Sequence, residues 1–212
     1  MAAMKKHDVR QSAKLDFRED LNFILMPKVI PSANWATLQD WIVDAIRLSY
    51  YNGRGKFDDS RPSNEWFRRS YRLIEATWNA LNSPGAHYQF LLFPNLEIPP
   101  VYLRVDAYLG DVPWKKAMKI YTHAAPDEVV VDSPRVEPFD YPGAETAARI
   151  VHFIEVDPSD HTLATRYSYP IRKDGMDILV RAFIPNLAYV QDGVPVLEEF
   201  VRGIVLSFRD KA

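Results

Sequence analysis

Three apolar or alternating runs, 147–156, 163–171 and 176–184, follow one another with only short turns between them. The turns are Asp157-Pro-Ser-Asp160 and Arg172-Lys-Asp-Gly175. Both are rich in residues that take turn conformations, and connections this short join antiparallel neighbours, because a parallel return needs a long crossover. An antiparallel meander towards the C-terminal end therefore constrains the fold more than any other feature.

Further strands can be placed around it. Val101, Leu103, Val105, Ala107 and Leu109 alternate with Tyr102, Arg104, Asp106 and Tyr108, between Pro100 and Gly110. That period of two predicts a strand with one buried face. Segment 87–93, stopped by Pro94, and segment 21–26, stopped by Pro27, also read as strands. Segments 129–131 and 135–139 are flanked by prolines, which confines them to sheet edges.

Elsewhere the period changes. Trp35, Leu38, Trp41, Ile42, Ala45 and Ile46 recur at helical spacing, as do Phe67, Tyr71, Ile74, Trp78 and Leu81. They predict helices over 34–51 and 63–81, packed together. A short helix is expected from Pro113 through Trp114, Ala117, Met118 and Tyr121. A last one is expected over 195–208, with Pro195 in its first turn, Asp192 as cap, and Leu197, Phe200, Val201, Ile204 and Phe208 on one face. The class is α+β: a mostly antiparallel sheet of five to seven strands with helices covering its faces. The expected organisation is a flexible segment over 1–14 and a single domain over 15–212.

Composition narrows the function. Twenty-six basic and 28 acidic residues give a net charge of −2, which offers no electrostatic footprint for nucleic acid or an anionic membrane. The chain has no cysteine, which excludes disulfides, thiolate nucleophiles and cysteine metal sites. After Lys5-Lys6 comes a polar run instead of a signal peptide's apolar segment, and no run is long enough to span a membrane, so the expected location is the cytoplasm.

The possible sites of chemistry have plainer explanations. Gly53-Arg-Gly-Lys56 lacks the spacing and the Ser/Thr of a phosphate loop and reads as an interhelical loop. His152, Glu155, Asp157, Asp160 and His161 are the densest group of potential ligands, but His152 and Glu155 alternate on a strand and point to opposite faces. No metal, cofactor or catalytic group is called for. Arg68, Arg69 and Arg72 cluster with Arg61 near the start of the second helix, beside Trp66, where they can meet an acidic partner or pair with Asp58, Asp59, Glu65 and Glu75.

Aromatic residues are in surplus over what one core stripe needs. Trp41, Trp66, Tyr88, Tyr102 and Tyr108 are candidates for an exposed binding patch, with Arg68, Arg69 and Arg72 as its polar rim. A sheet covered on both faces would bury the same rings as ordinary core.

The stretch from Arg149 to Ser207-Phe208, read as two hairpin strands, a last strand, a polar loop and then a helix closing on Ser-Phe, resembles the PsbP-like fold family. Phe23-Ile-Leu-Met-Pro27 followed by Trp35 is similar to that family's opening strand, proline and tryptophan. Two long helices between the opening strand and the next exceed what a usual member carries. The resemblance implies an accessory or chaperone-like binding role. The expected function is thus a non-enzymatic protein-binding module, chaperone-like, adaptor or immunity-type, whose partner is another protein and not nucleic acid or membrane, with a homodimer also compatible. Two rivals are an enzyme on a small molecule, drawing acid–base groups from His87, His123 or His152, and a structural subunit of a larger assembly.

Overall fold

The meander forms the middle of the sheet. The structure is a computed structural model that describes residues 13–17, 23–54, 64–92, 100–124, 128–157 and 162–208. Along the chain the strands are β1 (Ala13–Asp16), β2 (Phe23–Leu25), β3 (Tyr88–Leu92), β4 (Val101–Leu109), β5 (Val129–Val130), β6 (Arg135–Pro138), β7 (Thr146–Asp157), β8 (Thr162–Lys173), β9 (Met176–Ile184) and β10 (Val205–Phe208). The helices are α1 (Leu38–Arg54), α2 (Asn64–Leu81), α3 (Trp114–Tyr121) and α4 (Val190–Arg202), the last led by a 3-10 turn at Leu187–Tyr189.

Eight strands join one antiparallel sheet in the order β2-β3-β4-β9-β8-β7, and β5 and β6 both pair with the outer side of β7. The sheet exceeds the expected five to seven strands because both proline-flanked segments find partners on the long β7. The junction between the end of β4 and the β8–β9 turn is tight. The amide of Gly110 donates to the carbonyl of Gly175 at 2.8 Å, and a Cβ on Gly110 would lie 3.0 Å from that oxygen. Gly175 itself takes φ +74° in the β8–β9 turn, a conformation that favours glycine.

Strand alternation divides the apolar residues between two cores. Leu103, Val105, Ile171, Ile178, Val180 and Ala182 face α4 and the small β1–β10 ribbon, joined there by Leu197, Phe200, Val201 and Ile204. On the opposite face, Leu91 and Tyr102 pack with Trp41, Ile42, Ala45, Ile46 and Ile74 of α1 and α2. Burying each such aliphatic side chain contributes roughly 1.5–3 kcal/mol.

Two differences from the sequence reading share one cause. The last helix begins at Val190, five residues before Pro195, and ends at Arg202. Asp192 lies in its first turn and Tyr189 occupies the cap position. Gly203 closes the helix, its amide donating to the carbonyls of Glu199 and Phe200 at 3.0 Å each. The chain then extends, and Val205 to Phe208 pair with Asp16 to Ala13. A strand partner from the far end of the sequence therefore overrides the helical periodicity of Ile204 and Phe208. The same pairing places Ala13 and Lys14 in a strand, although the sequence suggested that 1–14 would be loose; residues 1–12 lie outside the described residues.

Helix α3 is fixed to the sheet by a buried ionic group. Arg172 Nε donates to Asp177 Oδ1 at 2.6 Å and its Nη2 donates to Asp177 Oδ2 and to the Val112 carbonyl, both at 2.8 Å. Tyr121 donates its hydroxyl to Asp177 Oδ2 at 2.8 Å, and the Trp114 ring lies 5.4 Å from the Arg172 guanidinium. Among the described residues no helix is long and apolar enough to cross a membrane.

Candidate functional site: an arginine-floored cleft

The polar half of the strand alternation collects on the face that α1, α2 and α3 cover only in part. Register places Gln89, Arg104, Arg181 and Ser168 in one row across β3, β4, β9 and β8. The next row is Leu91, Tyr102, Phe183, Arg166 and His152. Three arginines thus sit on neighbouring strands of one face, and Arg104 lies directly opposite Arg181. Like charges opposite one another across a strand pair are unfavourable.

Two helix ends wall this face. After α2, the Ser83 amide donates to Gln89 Oε1 at 2.8 Å, Gln89 Nε2 donates to Asn82 Oδ1 at 3.0 Å, and Arg104 Nη1 donates to Ser83 Oγ at 3.0 Å. After α3, the Thr122 carbonyl accepts from His152 Nε2 at 3.0 Å. Between these anchored ends is a cavity of about 390 Å³, lined by Leu81, Tyr102, Arg104, Ile120, Arg166, Arg181 and Phe183, together with His123, Ala124 and Glu128.

The arginines differ in how far they are satisfied. Arg104 donates from Nε and Nη2 to both oxygens of Asp106, at 2.6 and 3.3 Å. Burial works against its charge, but the Asp106 bonds and charge outweigh burial and raise its pKa. Arg166 pairs with Glu128 and gives Nη2 to the His123 carbonyl at 3.4 Å. Among the described residues, Arg181 has only the Asp106 carboxylate, 4.0 Å away and already engaged by Arg104. Its side chain is 35% exposed, so its guanidinium opens into the cleft. Burial lowers its pKa, with Tyr108 and Asp106 opposing. Below it, the buried Ser168 Oγ has no hydrogen-bond partner among the described residues.

The acid–base groups around the cleft differ in their partners. Tyr102 donates to Gln89 Oε1 at 2.7 Å, and burial pushes its phenol up to about 12. His152 is 1% exposed, and burial lowers its pKa, so it is a neutral imidazole beneath the floor. His123 bonds through Nδ1 to the Lys119 carbonyl. His87 lies elsewhere, in a second cavity of about 450 Å³ with Tyr88, Tyr108, Met176 and Leu206. The three histidines therefore sit on different elements and form no joint constellation. No group of three or more His, Asp or Glu suited to a metal occurs among the described residues; Asp160, His161 and Lys56 lie outside them.

The expected aromatic patch is dispersed. Trp41 is completely buried and its indole N–H donates to the Leu25 carbonyl at 3.2 Å, while Tyr102 is 7% exposed. Both belong to the core because helices cover this sheet face as well as the other. Trp66 is half-buried against the same core, and Tyr88 packs edge-on against Phe17 at 4.8 Å under the opposite face. Tyr108 is 41% exposed, at the end of β4. Arg68, Arg69 and Arg72 are exposed on α2, apart from the cleft lining. Of the residues singled out from sequence, Tyr102 and His123 line the cleft, whereas Arg104, Arg166 and Arg181 went unremarked as site residues. Their signal was present in principle, as charges at the polar positions of strands. Only strand register shows that they share one face.

Comparison with protein-family models gives no match for this chain, and comparison with curated proteins gives none.

Proposed function

We propose that this chain is a non-enzymatic binding module that receives an anionic group in the arginine-floored cleft. The observation that carries the reading is the pair Arg104–Arg181, opposite one another on β4 and β9, with the Asp106 carboxylate hydrogen-bonded to Arg104 and to the His87 amide but 4.0 Å from Arg181. An arrangement of like charges is unfavourable by itself and becomes favourable when an anion bridges it. Binding is favoured over turnover because Tyr102 and Glu128 each hold a partner that fixes them. An acid–base catalyst needs a group free to exchange a proton at the substrate. The resemblance to the PsbP-like family, with its accessory binding proteins, points the same way.

Thermal melting with and without small organic anions tests the reading. Anions that occupy the cleft raise the melting temperature in proportion to the logarithm of their concentration above Kd. Arg181→Gln removes that response while leaving the ligand-free melting temperature unchanged or slightly higher, because the arginine makes no hydrogen bond among the described residues that glutamine must replace. A ligand response that survives in Arg181→Gln refutes the site.

A further inference from the structure

Resting on that reading, we propose that the cleft's ligand is a monocarboxylate carrying an apolar group, with its carboxylate held by the Arg181 fork and its apolar part against Phe183, Leu81 and Ile120.

Charge sets the valence. Among the described residues the cleft is lined by three guanidinium groups, on Arg104, Arg166 and Arg181, and by the Glu128 carboxylate, bonded to Arg166, while Asp106 outside the lining is bonded to Arg104. One positive charge is left, on Arg181. A single negative charge neutralises it, whereas a dianion would leave an excess charge in a partly desolvated site.

The helix ends exclude the same alternative. Phosphate sites use helix N-termini, whose free amides and positive dipole end favour anions. This cleft is walled by the opposite ends: Leu81 is the last residue of α2, and Ile120 stands in the final turn of α3. Their partial negative charge repels a multiply charged head and confines the anion to the sheet floor. The donors there match a planar acid. Nε and Nη of one guanidinium form a fork whose geometry fits the two oxygens of a carboxylate. Arg104 and Arg166 already donate to Asp106, Ser83, Glu128 and the His123 carbonyl, and the Nε of Arg166, unpartnered among the described residues, is buried, so Arg181 supplies that fork.

The walls define the rest of the ligand. Ile120 is 60% exposed, and with Leu81, Ala124 and Phe183 it gives the cleft an apolar side above the guanidinium. A volume of about 390 Å³ equals about a dozen waters at roughly 30 Å³ each, which suits a small acid with one ring or a branched chain. The carboxylate can belong to a free organic acid or to the C-terminus of a peptide ending in an apolar residue.

The test is calorimetric titration of the full chain at pH 8, where free imidazoles are uncharged. The probes are 3-phenylpropionate, its neutral amide, phenyl phosphate, and a tetrapeptide ending in phenylalanine with a free or an amidated C-terminus. We expect 3-phenylpropionate to bind with sub-millimolar Kd, at least about tenfold tighter than either its amide or phenyl phosphate. Arg181→Gln weakens it at least about tenfold, and Arg181→Lys restores part of the loss by keeping the charge without the fork. Both variants are checked for native folding by circular dichroism, and either one alone decides Arg181's role. If phenyl phosphate binds as tightly as the carboxylate, or more tightly, the monocarboxylate assignment falls and the anion reading stands. If the amide binds as tightly as the acid, or no anion binds, the anion reading itself falls. The peptide pair separates the sources: a free-terminus peptide tighter than 3-phenylpropionate assigns a peptide end, and a weaker one assigns a free acid.

Discussion

Phe200 links the terminal helix to the rest of the fold, and truncating it to alanine gives the sharpest stability prediction. The ring is 7% exposed and sits among three others: Phe23 stacked at 4.1 Å, Phe90 edge-on at 5.2 Å and Phe17 stacked at 5.8 Å. Removing a buried phenylalanine side chain costs about 3–5 kcal/mol, made up of lost transfer free energy and the cavity left behind. Where in that range the value falls depends on which walls can move. Phe90 is held in β3 by neighbours on both sides, β2 and β4. Phe23 belongs to the short edge strand β2, and Phe17 follows β1 of the two-stranded ribbon, so both can shift inward and shrink the cavity. The expected loss is therefore nearer 3 than 5 kcal/mol, with part of it the aromatic pairing itself, about 0.5–1.5 kcal/mol per pair. Urea denaturation followed by tryptophan fluorescence and far-UV circular dichroism measures it. With a slope near 2–3 kcal/mol per molar for a chain of this size, the midpoint falls by about 1–1.5 M. Phe200→Leu, which keeps most of the volume, should lose less than half as much. A midpoint shift below about 0.3 M for Phe200→Ala would refute the docking of α4 against the aromatic cluster.

Arg172→Met should cost about 3–5 kcal/mol, because it leaves the Asp177 carboxylate buried with the Tyr121 hydroxyl as its one remaining side-chain donor among the described residues, and Arg172→Met with Asp177→Leu should recover much of the loss; denaturation of both variants checks this, and a single variant as stable as wild type would contradict it. His152 gives a pH dependence: burial lowers its folded pKa below the unfolded value of 6.5. The unfolded chain therefore takes up the proton first, so stability is intact above about pH 6.5 and declines as pH falls from there through the lowered folded pKa. Denaturation midpoints at pH 7.5, 6.5 and 5.5 should fall more steeply for wild type than for His152→Gln, and parallel profiles would mean that this imidazole is not held neutral.

Residues whose local pattern agreed with their tertiary partners were legible in the sequence. Segment 101–109 has the same limits in sequence and structure, since Pro100 and Gly110 bracket a strict alternation and β3 and β9 pair with it on both sides. The meander was legible for the same reason. Residues 205–208 were not, because Ile204 and Phe208 continue a helical spacing that only the distant strand β1 overrides; Ser207 Oγ reaches Asp16 across 191 residues of sequence. The aromatic residues misled in a related way. Trp41 and Tyr102 look surplus when one core is assumed, and they become necessary once the sheet has a core on each face. The cleft was hidden by register. Arg104, Arg166 and Arg181 occupy polar positions that any half-exposed strand would carry, and a shift of one residue in pairing would move each row to the other face.

The central claim is that Arg181 presents an unsatisfied guanidinium to an anion in the cleft, and its own Nε–H resonance reports on this directly. Two-dimensional ¹H–¹⁵N spectra tuned to arginine side chains, with assignment through Arg181→Lys, follow that signal as 3-phenylpropionate is added at pH 8. A saturable shift of the Arg181 Nε–H is expected, with a smaller change at Arg104, whose Nε already donates to Asp106, and at Arg166, whose Nε is buried away from the cleft opening. An Arg181 signal that stays in place while the ligand binds elsewhere, or that moves equally for the neutral amide, would contradict it.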